Sequence, residues 1–114
     1  MYQAIVASSE ITRTVLEFRG VAIQVLHTDD RTGAMTVLTH MEPGAVIPEH
    51  WHSSADETVY VLSGDFIEGG VSYQPGTLFA GRAKTSHGPH STKNGCVVLT
   101  QFSAALDFQL ESFP

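Results

Sequence analysis

The sequence predicts an all-β protein that forms a single domain over residues 1–114. Short apolar or alternating runs rich in Val, Thr, Tyr, Phe and Ile recur along the chain, and these residues suit a pleated sheet. Each run ends at a turn sequence of Gly, Pro, Asn or Asp, and almost no segment shows helical spacing. Many short strands at close spacing are typical of a sandwich or a barrel.

Six runs of the sequence predict strands. The Asn-Gly and Gly-Gly pairs beside two of them supply the positive φ angles that tight hairpins need. The first ten or so residues are less regular, and we expect an edge strand there or an arm that crosses a partner. The runs and their turns are VAIQVLHT before Asp29–Gly33, AMTVLTHM before Glu42–Gly44, ETVYVL before Ser63–Asp65, FIE before Gly69-Gly70, VSY before Pro75-Gly76, and CVVLTQF after Asn94-Gly95.

Composition and charge exclude several classes of function. Hydrophobic residues make up 42% of the chain and charged residues 16%, which is ordinary for a globular domain. The formal net charge of −6 argues against a nucleic-acid partner, because such proteins bind phosphates with clustered Lys and Arg. The sequence has no apolar run of about 18–20 residues that could span a membrane. The N-terminus lacks the basic start and apolar stretch of a secretory signal.

Cysteine usage also limits the chemistry. Cys96 is the only cysteine, so an internal disulfide and a zinc site built from several cysteines are both excluded. It lies in the apolar run CVVLTQF, where a buried structural thiol is the expected role. A reducing, cytoplasmic setting fits this composition.

Four of the six histidines are crowded into two places, His50 with His52 and His87 with His90. Residues two apart on a strand share a face, so His50 and His52 should project together while Trp51 points the opposite way. Two imidazoles on one face form a chelating pair for a transition metal. Trp51 should pack under a neighbouring strand or in a dimer interface, with its indole away from the metal. The other two histidines, His27 and His40, are expected at the surface or hydrogen-bonded in the core.

Glu57 follows this pair and opens the run ETVYVL. Val59 and Val61 share its face, so its carboxylate stands at one end of an apolar strand face, where burial is costly without a positive partner. The alternative is a solvated carboxylate at the start of the strand. His87 comes after a long gap, and only a closed fold can bring it back to the other three residues.

These residues form a pattern with a known resemblance. Gly44, five residues, His50-x-His52, four residues, Glu57, six residues and Gly64 resemble the first motif of the cupin superfamily at every defining position over 21 residues. The pair Pro75-Gly76, followed by His87, resembles the second motif of small bacterial cupins. The resemblance covers roughly residues 34–103.

The resemblance implies a fold and a site. The fold is the cupin double-stranded β-helix, a jelly-roll barrel, with one divalent transition metal held inside by His50, His52, Glu57 and His87. Three imidazoles and one carboxylate suit Fe(II), Zn(II), Mn(II), Ni(II) or Co(II), and we favour Fe(II). The fold alone does not define the function.

Three functions stay open at this point. The chain resembles small single-domain cupins such as acetylacetone-cleaving and dihydroxyacetophenone-type dioxygenases, which implies an Fe(II) dioxygenase acting on a small enol, diketone or aromatic compound. It also resembles the cupin domain of zinc-binding anti-sigma factors, which implies a non-catalytic, regulatory module that binds a metal or a small ligand. A metal-dependent isomerase, lyase or hydrolase is the third alternative.

Two further expectations concern His90 and assembly. Residues three apart on a straight strand face opposite ways, so we expect His87 as the ligand. Gly88-Pro89 should loosen or turn the strand and leave His90 at the rim. There His90 would either face the ligands or the substrate or be solvated. Gly76 precedes His87 by eleven residues, which is the spacing of small cupins.

Exposed sheet edges are usually covered, so the N-terminal run and the alternating Leu106, Phe108 and Leu110 should meet a second barrel in a homodimer.

Overall fold

The computed structural model describes residues 1–111, and ten β-strands with one short 3-10 helix, Ser8–Glu10, make up the regular structure of that range. No helix in this range has the length and apolarity needed to cross a membrane. The strands are β1 (Thr14–Val15), β2 (Val21–Thr28), β3 (Met35–Met41), β4 (Val46–Ile47), β5 (Glu57–Gly64), β6 (Phe66–Glu68), β7 (Val71–Tyr73), β8 (Leu78–Gly81), β9 (His90–Ser91) and β10 (Cys96–Phe102).

The strands form two antiparallel sheets. The larger sheet has the order β1-β2-β3-β10-β5-β8, and the smaller has the order β4-β9-β6-β7. Four of the predicted runs coincide with β2, β6, β7 and β10, while β3 begins one residue later and β5 ends two residues later than predicted. The all-β jelly-roll prediction is confirmed.

The core lies between the two sheets, and the side chains of alternate strand residues fill it. Along β10 the buried positions are Cys96, Val98, Thr100 and Phe102, while the residues between them are more exposed. Val61 on the neighbouring strand is 0% exposed and belongs to the main apolar cluster. Cys96 is a free, buried thiol, and burial raises its pKa to about 11.

A glycine allows the close approach of β5 and β10 where β5 ends and β10 begins. Gly64 has a φ of +79°, and a Cβ added there would lie 1.9 Å from the carbonyl oxygen of Gly95. Only glycine permits this approach of two backbones together with the left-handed conformation.

After β10 the chain returns across its own barrel, and we call residues 106–111 the C-terminal strap. The amide of Trp51 donates to the carbonyl of Gln109 at 3.1 Å, and the amide of Gln109 donates to that of Trp51 at 2.9 Å. Phe108 packs inside this chain, with its ring centroid 5.6 Å from that of Phe18. Phe108 is therefore held within its own barrel, whereas Leu110 remains 51% exposed, and the contact of this run with a second barrel stays a prediction. Residues 1–7 form no strand.

Candidate metal centre

The structure brings the four predicted ligands together between the sheets. The Nε2 atom of His87 lies 3.0 Å from that of His50, 3.2 Å from that of His52 and 2.8 Å from Glu57 Oε1. The other carboxylate oxygen of Glu57 lies 3.5 Å from His52 Nε2. His50 and His52 are 3% and 2% exposed, while Glu57 and His87 are half-buried.

The backbone joins the two halves of this cluster directly. The amide of His50 donates to the carbonyl of His87 at 3.0 Å, and the amide of His87 donates to that of His50 at 2.9 Å. The carbonyl of His52 accepts from the amide of Lys84 at 2.8 Å. His50 and His87 thus lie in an isolated bridge, not in the regular strand that the sequence suggested for His50 and His52.

Hydrogen bonds to carbonyl oxygens fix two of the imidazole tautomers. His50 Nδ1 lies 2.6 Å from the carbonyl oxygen of Pro48, and His52 Nδ1 lies 2.5 Å from that of Asp107. A carbonyl oxygen only accepts, so Nδ1 carries the proton and a neutral ring presents a lone pair at Nε2. Metal-binding histidines are held in this way, with the second ring nitrogen donating to a backbone or carboxylate oxygen.

The spacing of these nitrogens suits a metal ion. An ion about 2.1 Å from each nitrogen places two donors that subtend a right angle about 3.0 Å apart, close to the observed 3.0 and 3.2 Å. The donor atoms of His52, Glu57 and His87 lie within 4.8 Å of one another, as do those of His50, His87 and His90. The cluster could therefore hold a metal, and its nitrogen and oxygen donors suit a divalent transition ion.

Burial and mutual hydrogen bonds shift the pKa values of the cluster in different directions. Burial lowers the pKa of His50 to about 4, so its ring is neutral at physiological pH. Burial acts to raise the pKa of Glu57, but hydrogen bonds with His52 and His87 outweigh it and hold the pKa well below the usual range. Burial acts to lower the pKa of His52, and its contacts with Glu57 and Asp107 raise it overall. An ionised carboxylate therefore faces the imidazoles, and a bound metal would take the place of any proton on their Nε2 atoms, which would pass to solvent.

His90 lies inside the barrel and not at its rim. Gly88, with a φ of +92°, turns the chain between His87 and His90, as the Gly88-Pro89 pair predicts, but the turn directs His90 inward. The ring of His90 stacks on that of His87 with centroids 5.4 Å apart, and its centroid lies 5.3 Å from that of His50. Its Nδ1 atom is hydrogen-bonded to the carboxylate of Glu68. Sequence reasoning missed Glu68, whose only sequence signal is a carboxylate at the end of a strand run.

Two cavities adjoin the centre. A small one of about 50 Å³ contains His50, His52 and Glu57 in its lining, and Phe108 covers the two histidines with ring centroids 4.9 and 5.4 Å from theirs. A second cavity of about 250 Å³ lies on the side of His87. Phe108 was not predicted here, because an apolar residue beyond the last strand carries no sequence signal for a metal centre.

The remaining predicted residues lie elsewhere. Trp51 is absent from the described lining of both cavities, and its indole N–H donates to the carbonyl of Glu111 at 2.8 Å. His40 Nε2 lies 2.7 Å from Gln24 Oε1, and His27 is half-buried on β2.

This two-sheet barrel, with a histidine and glutamate cluster between its sheets, is that of a cupin. Residues 3–105 match the family described as the ChrR Cupin-like domain, and the chain belongs to that family. No curated protein matches the chain.

Solved structures share the fold at low sequence identity. KdgF from Halomonas sp. is 24% identical with a TM-score of 0.78, over 93% of this chain and 97% of that one. A predicted oxalate decarboxylase from Thermotoga maritima is 23% identical with a TM-score of 0.71, over 89% and 99%. A chain in the complex of Rhodobacter sphaeroides SigE with the anti-sigma ChrR is 21% identical with a TM-score of 0.68, over 82% and 50%.

Proposed function

We propose that this protein binds one divalent transition metal through His50, His52, Glu57 and His87, and that it acts as an Fe(II)-dependent dioxygenase on a small enol, diketone or aromatic compound. One observation carries the metal site: the Nε2 atoms of three histidines meet at 3.0 and 3.2 Å beside a carboxylate. Lone pairs at such distances repel each other unless a proton or a cation lies among them.

The surroundings of the centre support a small-molecule ligand. The larger cavity is lined by Val59, Phe66 and Phe79, which suit an apolar body, and by the exposed Thr85 and Ser86 at its solvent side. Such a mixture of apolar walls and a few polar groups is typical of ligand sites. When bound, Fe(II) supplies the redox chemistry that the addition of O₂ to an electron-rich substrate requires.

A non-catalytic metal-binding module is the second candidate. The match to the ChrR Cupin-like family and the similarity to a chain in a complex with an anti-sigma factor favour it. In that role the metal would hold the barrel in one conformation or respond to a small ligand, with no turnover.

The metal site is tested by elemental analysis. We expect about one divalent ion per chain in the wild type, and loss of most of it in His50→Ala, His52→Ala, Glu57→Ala and His87→Ala, because each removes a donor from the same ion. His27→Ala is the matched control, since His27 lies on β2 away from the centre, and His90→Ala should keep the metal. The site is refuted if the wild type binds none of Fe(II), Zn(II) or Ni(II) and their addition leaves the melting temperature unchanged.

The activity is tested by oxygen consumption. Protein reconstituted with Fe(II) without oxygen, then mixed with acetylacetone and air, should consume O₂ in step with the loss of the diketone. Turnover with Zn(II) in place of Fe(II) would instead favour an isomerase or lyase. Stoichiometric zinc with no turnover would favour the non-catalytic module.

We also propose a two-fold symmetric homodimer in a reducing, cytoplasmic setting. Tyr60, Leu62 and Leu78 are 41%, 45% and 60% exposed, and Tyr60 is the cross-strand neighbour of both Leu78 and Leu99 on the larger sheet. Apolar surface of this kind is commonly covered by a partner. Light scattering at tens of micromolar should report a dimer and Leu78→Lys a monomer, whereas a wild-type monomer would overturn the proposal. The free, buried Cys96 supports the reducing setting.

A further inference from the structure

The C-terminal strap packs directly on two of the proposed metal ligands. The carbonyl oxygen of Asp107 lies 2.5 Å from His52 Nδ1. The ring of Phe108 contacts the rings of His50 and His52, with centroids 4.9 and 5.4 Å apart, and it lines the small cavity beside them. The strap therefore closes the barrel on the side of the two imidazoles that would hold the ion.

Only a few individual bonds attach the outer part of the strap. Gln109 and Trp51 exchange two backbone hydrogen bonds in an isolated bridge outside the named strands. The indole of Trp51 donates to the carbonyl of Glu111 at 2.8 Å, while Leu110 is 51% exposed. A segment held by so few bonds opens locally at a lower free-energy cost than a strand inside a continuous ladder.

An ion would act on the same two rings as the strap. Without an ion, the orientation of the His52 ring depends on its contacts with Asp107 on one side and Glu57 on the other. A ligated imidazole is held at one ring nitrogen by the ion, and its other nitrogen donates to a fixed partner, here the carbonyl of Asp107. The ion fixes the surface on which Asp107 and Phe108 pack, so it should favour the closed strap.

We propose that the strap is a metal-coupled closure: it stays shut over His50 and His52 while an ion holds both rings, and it opens more often in the metal-free barrel. This inference rests on the metal site proposed above and adds a form of regulation to it. Metal occupancy inside the barrel thereby changes how often the strap, with its exposed Leu110, leaves its place on the surface. The coupling is reciprocal, so an open strap weakens binding of the ion by the same factor.

Hydrogen exchange followed by NMR tests the closure in zinc-loaded and zinc-free protein. The probes on the strap are the amide of Gln109 and the indole N–H of Trp51, the only tryptophan of the chain. We expect zinc to slow exchange at both about tenfold, a coupling of ordinary size for two linked sites. The amide of Gly76, which donates to the carbonyl of Val61 at 2.8 Å in the turn before β8, is the control and should not change.

The reciprocal effect is measured as zinc affinity in a chelator competition. Phe108→Ala removes the ring that covers both histidines, so the Trp51 indole should exchange faster without zinc, and zinc affinity should fall about tenfold. Tyr73→Ala is the matched control, because it removes a partly buried aromatic ring on β7 and should keep the wild-type affinity. If Phe108→Ala does not fold, Gln109→Pro removes the amide that donates to Trp51 and should show the same two changes.

Three results would overturn the inference while zinc still binds and the metal site stands. Equal exchange at Gln109 and Trp51 with and without zinc would show that the strap does not respond to the ion. Equal slowing at Gln109 and at Thr100, in the middle of β10, would show that zinc only stabilises the whole barrel. A strap variant with faster indole exchange and unchanged zinc affinity would contradict the reciprocal coupling. Failure to bind zinc would instead refute the metal site, and the inference with it.

Discussion

Glu57 and the three histidines beside it are held in place in different ways. Glu57 begins β5 and lies between two neighbouring strands, paired with Phe102 on one side and Gly81 on the other. His50 and His87 share only an isolated bridge. The ladder around Glu57 is continuous, whereas the histidines depend on a few individual hydrogen bonds.

This difference separates the stability of the fold from the geometry of the centre. The long strands β2, β3, β5 and β10 lie side by side in the larger sheet and carry most of the ladder. The histidine segments lie by the smaller sheet, whose strands are two or three residues long. Changes in the ladder should unfold the protein, while changes in the bonds around the histidines should weaken metal binding in a folded barrel.

The largest effect on the stability of the fold is expected where β5 approaches β10. In Gly64→Ala the new methyl would lie 1.9 Å from the carbonyl oxygen of Gly95, so the two strands must separate. We expect a loss of about 4 kcal/mol in the free energy of unfolding, or no folded protein. Gly70→Ala is the matched control, because Gly70 also has a positive φ, +82°, but has no atom within 4 Å of the added Cβ. It should lose about 1 kcal/mol in urea denaturation, and equal losses would contradict the close approach.

A smaller effect on stability, but a clear effect on the metal, is expected at Asp107. Its carboxylate accepts from the amide and hydroxyl of Ser53 at 2.9 and 2.6 Å, which holds its own carbonyl against His52 Nδ1. Asp107→Ala should lower zinc affinity about tenfold in a chelator competition. The metal-free melting temperature should change little.

Asp30→Ala, in the exposed turn before β3, is the control for the lost charge and should bind zinc like the wild type. If Asp107→Ala also binds zinc normally, the C-terminal strap does not position His52.

A modest, pH-dependent effect on the melting temperature is expected for a substitution of Asp65, which lies between β5 and β6. Hydrogen bonds from the amides of Lys93 and Asn94 hold the pKa of its carboxyl below the ordinary 3.8. A lowered folded-state pKa stabilises the fold above the unfolded pKa, and this contribution is lost as the pH falls through the folded value. Asp65→Asn should therefore melt below the wild type at pH 7, with a difference that shrinks below pH 3.8. A difference in melting temperature that does not change with pH would contradict this, as would an equal difference in the control variant Asp30→Asn.

The smallest effect is expected at Trp51, between the two metal-site histidines. Trp51→Phe keeps an aromatic ring but removes the hydrogen bond to the carbonyl of Glu111. We expect a loss of roughly 0.5–1 kcal/mol in the free energy of unfolding and unchanged zinc affinity. A marked loss of zinc would show that this indole orients its neighbours.

The sequence predicted the long strands well because alternation and turn residues are local properties. The spacing around His50 and Glu57 was informative for the same reason, since each motif is a short segment. Prediction failed for the direction of His90: the turn at Gly88-Pro89 was expected, but the inward position of the ring depends on contacts with His50 and Glu68, which lie far away in sequence. It also failed for Phe108, whose position depends on contacts with residues far away in sequence.

The bridge between His50 and His87 has a consequence for the unfolded chain. These residues are 37 positions apart, and an ion that stays bound to both would close a loop of that length. Closing such a loop removes conformational entropy from the unfolded ensemble worth roughly 4 kcal/mol by the relation used for disulfides. The chain has one cysteine and cannot form such a link within itself. A bound metal would therefore also act as its cross-link.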